Sequence, residues 1–363
     1  MQKIQVTSSS IPSEKSLLKK INTIYHTKRL TTNGPLLKNL ENKLKNFLNV
    51  KHIVLLSNCT MGLQVAYKTL GIKKGILTSP FNYISASNAA DWLNIKVFFS
   101  DIDKDSLNLD YKKISKKILN KVECIVPVNS FGIPCNFKKI KKISNNKKII
   151  YDAAHCFDLK YNRKSMLTQG DASVISFHAT KVFNTCEGGA IVFKKKKDMN
   201  IAKQLIQIGF NTNDYKKDNS KLIAKQGINL KMSELQAAWG LALLERYSKI
   251  KSRRKLRFNK YLKFLKAEIF IPNKNLKSNN YSYLPVIFKS EIHLIKCLKK
   301  LAEKKIFPRR YFYPSLNKIN HFKTKIKCPV SESISKKILC LPLSEELSLN
   351  KIKLISKTVN SFF

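Results

Sequence analysis

The sequence predicts an α/β protein: a mostly parallel sheet sandwiched by helices, with a smaller C-terminal α+β domain. Short apolar runs such as Ile53-Val54-Leu55-Leu56, Cys124-Ile125-Val126 and Ile149-Ile150-Tyr151 recur along much of the chain. Continuous apolar strands belong to sheets that are buried on both faces. Segments of helical apolar spacing separate these runs, which is the alternation that parallel strands need for their crossovers. The 363 residues are ample for a sizeable core, and no repeat or long low-complexity linker divides them.

Residues 1–12 read as an arm. Leu36-Leu37-Lys38-Asn39-Leu40-Glu41-Asn42-Lys43-Leu44 has helical spacing after the loop Thr31-Thr32-Asn33-Gly34-Pro35. Residues 52–56 are a buried strand, which gives way through Ser57-Asn58-Cys59-Thr60 to a helix with Leu63, Val65, Ala66 and Leu70 at apolar positions. Strands at 75–78, 97–99, 124–128 and 148–151 then alternate with helices near 86–93, 112–119 and 137–143. Apolar runs at 172–177 and 190–193 form a strand pair, with Glu187-Gly188-Gly189 turning into the second. Residues 232–255 make a long helix whose apolar side carries Leu235, Ala238, Trp239, Leu241, Ala242 and Leu244. The large domain is placed at 13–245. The small domain, at 246–363, contains elements near 282–288, 293–304 and 351–363.

Composition narrows the class. No stretch reaches the roughly twenty apolar residues of a membrane span, and the first residues lack the apolar core of a secretory signal. A cytoplasmic enzyme is expected, with no membrane partner. Eight cysteines include no CxxC pair, so neither a zinc site nor a disulfide framework is supported. The net charge of +46 invites a nucleic-acid reading. Against it, lysines outnumber arginines 61 to 8, whereas arginine dominates base and phosphate recognition. The lysines are spread along the whole chain, as an AT-rich coding bias would leave them. No nucleic-acid partner is expected, and a non-catalytic basic regulator stands as the alternative of another class.

The chemistry centres on Lys181. It follows an apolar strand, in Ser176-Phe177-His178-Ala179-Thr180-Lys181, and precedes the turn into the next one. A lysine at the mouth of a strand pair can form a Schiff base with an aldehyde cofactor. Upstream, Ile149-Ile150-Tyr151-Asp152 is a strand that ends in a carboxylate. This pair suits pyridoxal phosphate: the aspartate keeps the ring nitrogen protonated and the lysine carries the aldehyde. Ser57-Asn58-Cys59-Thr60, at a strand-to-helix junction, offers backbone N–H groups and a hydroxyl to a phosphate, and Ser176 could add a contact. Tyr83, in Pro80-Phe81-Asn82-Tyr83, could cover a flat ring, and His155 would sit near the ring's 3-oxygen. Each has a plainer reading beside this one: an N-cap, core packing, a core histidine.

These motifs resemble, in order and over nearly the whole chain, the DegT/DnrJ/EryC1/StrS sugar aminotransferases. The likeness is also carried by Asp101-Ile102-Asp103, Val128-Asn129-Ser130-Phe131-Gly132-Ile133-Pro134-Cys135, Gly227-Ile228-Asn229-Leu230-Lys231-Met232-Ser233-Glu234, Phe307-Pro308-Arg309-Arg310-Tyr311-Phe312-Tyr313-Pro314-Ser315 and Cys340-Leu341-Pro342-Leu343. The resemblance implies the aspartate-aminotransferase-like fold, fold type I, and a homodimer with shared sites. It implies Lys181 as the Schiff-base lysine and Asp152 as partner of the pyridine nitrogen. Cys59, Thr60 and Ser176 fall on phosphate-binding positions, Tyr83 on the ring-stacking position, and His155 beside the 3-oxygen. Asn229 matches an asparagine that reaches the phosphate of the second subunit. The implied substrates are L-glutamate and a nucleotide-linked keto-sugar, dTDP-4-dehydro-6-deoxy-D-glucose, in O-antigen or related polysaccharide synthesis. Amination at the 3-position and a GDP-linked sugar are the alternatives. Two departures stand out. Cys59 occupies a position where the family usually has glycine, which questions the backbone conformation of that turn. Cys186 replaces a usual phenylalanine.

Overall fold

In the sheet strands, successive side chains point to opposite faces, and here both faces are apolar. Ile53, Leu55, Ile149, Tyr151 and Ile175 enter one core, while Val54, Leu56, Ile150 and Val174 enter the other. The structure, a computed structural model, describes residues 3–210, 226–322 and 326–363. Its seven-stranded sheet has the spatial order His52–Leu56, Gly189–Phe193, Ala172–Ser176, Lys148–Asp152, Cys124–Val126, Gly75–Thr78, Lys96–Phe99. Helices Pro35–Leu48, Phe137–Ser144 and Glu234–Phe264 cover the first face. Cys59–Thr69, Ser85–Asp91 and Lys196–Leu205 cover the second.

Gly189–Phe193 runs antiparallel to both of its neighbours, and the other pairings are parallel. The link from Ser176 to Gly189 holds no crossover helix, so the chain can only return antiparallel. The register sets Gly189 opposite both Leu56 and Ser176, and pairs Asp152 with Val174. Segments leaving Leu56, Asp152 and Ser176 therefore emerge at one edge of the sheet, the carboxyl ends of the parallel strands. Ligands in open α/β sheets bind at that edge.

A third core gathers Phe258, Tyr261, Leu284, Val286, Leu294 and Ile355 from the C-terminal segments. A fourth joins the two parts through Phe81, Phe131, Tyr283 and Phe312. The long helix spans Glu234–Phe264 and opens with a Ser233/Gln236 capping box; the division expected at 245/246 falls inside it. Within the segment expected as an arm, Ile4–Gln5 pairs with Ile306–Phe307.

Two local expectations need correcting. The helix near 112–119 is two short pieces, Tyr111–Lys113 and Lys116–Leu119. Ser115 accepts from the Lys117 N–H, and Ile114 is extended, so a new helix is capped where the old one would have continued. Leu235, expected on the apolar side of the long helix, is exposed. It is the second residue of that helix, whereas the stripe that enters the core runs through Ala238, Leu241 and Ala242.

Candidate active site

The segments at the sheet edge enclose a cavity of about 380 Å³. Asp152, Lys181, Thr60, Cys59, Ser176, Tyr83 and His155 all line it. Asn229 does not: its side-chain oxygen accepts from Lys231 Nζ, 2.6 Å away.

Asp152 is buried at the end of its strand. Asn82 Nδ2 donates to one carboxylate oxygen at 3.1 Å and the Ala154 N–H to the other at 3.1 Å. Burial raises the acid above its ordinary value, against these two bonds and the nearby Lys181 charge. Lys181 Nζ donates to Tyr283 Oη at 3.0 Å. Burial opposes the lysine's charge, but Tyr283, Cys59 and Asp152 outweigh it and hold the amine above its ordinary value.

His155 is held neutral by burial and by the charge of Lys181, well below the usual imidazole value. Its Nδ1 accepts the Phe131 N–H at 3.0 Å, so the proton of the neutral ring belongs on Nε2. Burial and the charge of Asp152 push the Cys59 thiol up, leaving it protonated and a poor nucleophile. Cys59 is the first residue of its helix and is absent from the left-handed region, so the turn needs no glycine there. Cys186 does lie in that region, at φ 64, with its side chain exposed.

The helix start carries two partnered N–H groups, Met61 to Asn58 Oδ1 and Gly62 to Asn58 O. The N–H groups of Cys59 and Thr60 have no acceptor within the helix. A Thr60–Ser85 hydroxyl pair, 2.9 Å apart, lies beside them. Gly189 passes close beneath: a Cβ there would meet the Cys59 nitrogen at 3.1 Å and the Ile175 oxygen at 2.9 Å. One end of the cavity thus offers uncommitted N–H and O–H donors, while a carboxylate and a primary amine also face it.

Other lining residues escaped the sequence reading. Asn82 lay within a quoted motif without a role. Arg309 and Tyr311 lay in Phe307–Ser315, whose paired arginines and aromatics were a signal; here the Arg309 guanidinium lies 5.2 Å from the centre of the Tyr311 ring. Tyr283 left no local signal, because it precedes an ordinary apolar strand, Pro285–Ile287.

The model of the DegT/DnrJ/EryC1/StrS aminotransferase family matches residues 13–360. A dTDP-4-amino-4,6-dideoxy-D-glucose transaminase of Shigella dysenteriae is 34% identical, over 98% of each chain. A GDP-perosamine synthase of Escherichia coli O157:H7 is 26% identical, over 92% of each chain. The solved structure of DesI in the presence of its TDP-sugar product superposes with a TM-score of 0.91 at 23% identity, covering 99% of this chain and 93% of that one. The chain belongs to the DegT/DnrJ/EryC1/StrS aminotransferase family, which displaces the reading as a non-catalytic basic regulator. Enzymes of this family use pyridoxal 5′-phosphate. The cavity's donor set fits that group, with uncommitted donors for a phosphate, a carboxylate for a ring nitrogen and an amine for an aldehyde.

Proposed function

We propose that this aminotransferase moves an amino group from L-glutamate to the ketone of a nucleotide-linked keto-sugar, converting dTDP-4-dehydro-6-deoxy-D-glucose to dTDP-4-amino-4,6-dideoxy-D-glucose. The observation carrying the reading is that Lys181 and Asp152 face one cavity, in a chain alike over nearly its whole length to a protein of that named activity. The enzyme works in the cytoplasm as a homodimer and supplies amino-sugar for a surface polysaccharide such as O-antigen.

The cofactor, when bound, supplies an aldehyde that captures amines and a ring that draws off the electron pair left at the amino-bearing carbon. The chain's residues do the rest. Thr60, Ser176 and the N–H groups of Cys59 and Thr60 hold the phosphate. Asp152, as a carboxylate, accepts a hydrogen bond from the protonated ring nitrogen and so keeps the ring cationic. Its raised proton affinity in the free chain is the burial cost that such a cation offsets. His155, protonated on Nε2, donates to the 3-oxygen, and Tyr83 covers the ring face. Lys181 would hold the aldehyde covalently between turnovers and have its amine free while the donor amine takes its place. Its freed amine then takes the proton from the donor's Cα, and in the second half-reaction returns one to the sugar carbon. Asn229 serves the phosphate of the neighbouring subunit.

The test is to incubate purified protein and glutamate with a panel of nucleotide keto-sugars, identifying products by NMR. The panel holds the dTDP-linked 4-keto and 3-keto sugars and a GDP-linked 4-keto sugar. A 4-amino dTDP-sugar as the main product supports the reading; turnover of only the GDP-linked or 3-keto sugar overturns the substrate assignment.

A further inference from the structure

The side chain of Lys181 ends in an amine on a long, flexible stem, and the chemistry above releases that amine in every cycle. A free lysine amine has many rotamers, and each wrong one removes it from reach of the proton it must carry. Something must keep it in place. In the structure its hydrogen-bond partner is Tyr283 Oη, at 3.0 Å.

Tyr283 comes from the C-terminal part of the chain, 102 residues from Lys181, and its ring is fixed from several sides. The ring centre lies 4.3 Å from that of His155, 5.8 Å from Phe131 and 5.9 Å from Tyr311. Its carbonyl accepts from Asn273 Nδ2 at 2.9 Å. The residues before it are also braced. Asn280 Nδ2 donates to the carbonyls of His155 and Phe157, and the buried Arg254 donates to those of Tyr281 and Ser282. Tyr283 is therefore a rigid post, and its hydroxyl faces the one group in the cavity that must be both mobile and accurately placed.

We propose that Tyr283 is a positioning residue for the reaction: its hydroxyl oxygen seats the Lys181 amine whenever that amine is free, holding it where proton transfer occurs. The proposal rests on the reading of Lys181 as the reactive lysine. It agrees with the electrostatics, in which Tyr283 favours the charged lysine and so governs how readily the amine gives up its proton.

The test uses Tyr283→Phe, which keeps the ring and its contacts but loses the hydroxyl. In the cofactor-free protein, the pH dependence of Lys181 acetylation by acetic anhydride is followed by peptide mass spectrometry. Loss of the oxygen acceptor should move the midpoint to lower pH. In the loaded enzyme kcat should fall about ten- to a hundredfold, the usual effect of losing a hydrogen bond to a charged group, with KM for the nucleotide-sugar little changed. Equal thermal midpoints for the variant and the wild type exclude a folding effect. A variant with its acetylation midpoint unmoved and kcat within about twofold of wild type shows that Tyr283 only packs, and overturns the proposal. Borohydride reduction of the loaded wild type, followed by mapping of the labelled peptide, tests the underlying reading separately. A label on a lysine other than Lys181 overturns both.

Discussion

Replacing Asp152 with asparagine tests both the chemistry and the electrostatics of the site. The carboxylate accepts two hydrogen bonds, from Asn82 Nδ2 and the Ala154 N–H, each 3.1 Å long. An asparagine has one acceptor oxygen, so one of these bonds is lost, at a cost of about 1 kcal/mol. The larger change is the loss of a fixed negative charge that faces the cavity. Removing one preorganised electrostatic partner typically lowers kcat by about 10²–10³, and because that charge matters most when the transition state forms, KM should change little. The assay is steady-state kinetics with glutamate and the dTDP-keto-sugar. A rise in KM with kcat unchanged would refute the assignment and make Asp152 a substrate-binding group. The cofactor-free variant adds a second reading. Burial raises the Asp152 acid in the folded chain despite Asn82, Ala154 and Lys181, so the folded state holds that proton more tightly than the unfolded one. Ionised Asp152 therefore costs stability above the raised value, and the cost fades as pH falls through it. Asparagine carries no such cost. The melting temperature of Asp152→Asn should gain on the wild type as pH rises above about 4, the ordinary carboxylate value. A gap that instead narrows with rising pH contradicts the electrostatic account.

Other substitutions reach the remaining parts of the argument. Lys181→Ala should abolish transamination while leaving the fold intact, since it removes a half-buried polar side chain; near wild-type turnover, with borohydride still fixing cofactor to the protein, would contradict it. Glu234 is 1% exposed and accepts the N–H groups of Leu36 and Leu37, each at 2.8 Å, at the start of helix Pro35–Leu48. Glu234→Ala should lower unfolding stability by about 3 kcal/mol, measured by urea denaturation; an unmoved midpoint would show that the cap is dispensable. If Asn229 serves the neighbouring subunit, inactive Lys181→Ala and Asn229→Asp proteins should recover about a quarter of wild-type activity after verified subunit exchange, one intact site in half of the dimers. No recovery, or a monomer by light scattering, counts against shared sites.

Much of the cavity end of the molecule was legible because its information is local. Strand runs of one character announce a doubly covered sheet, and the residues just beyond their carboxyl ends must fall at its ligand-binding edge. Asp152, Ser176 and the Ser57–Thr60 junction are such residues, and Lys181 lies in the link that follows Ser176. Their meeting around one cavity follows from the strand register, Gly189 opposite both Leu56 and Ser176. What depended on a few nearby competing groups was harder. Whether 112–119 is one helix or two turns on Ser115 capping a new start, and the burial of Leu235 depends on which part of a long helix meets the core. Tertiary structure alone decided the rest. Tyr283 enters the cavity from a segment whose local sequence resembles any small domain, and only the packing of Phe81, Phe131, Tyr283 and Phe312 in one cluster brings it there. The tautomer of His155 was equally hidden, because it depends on the Phe131 backbone N–H, a partner 24 residues away. A residue's chemistry is carried in its side chain, but its proton affinity and its neighbours are set by burial and long-range packing, which no contiguous stretch of sequence contains.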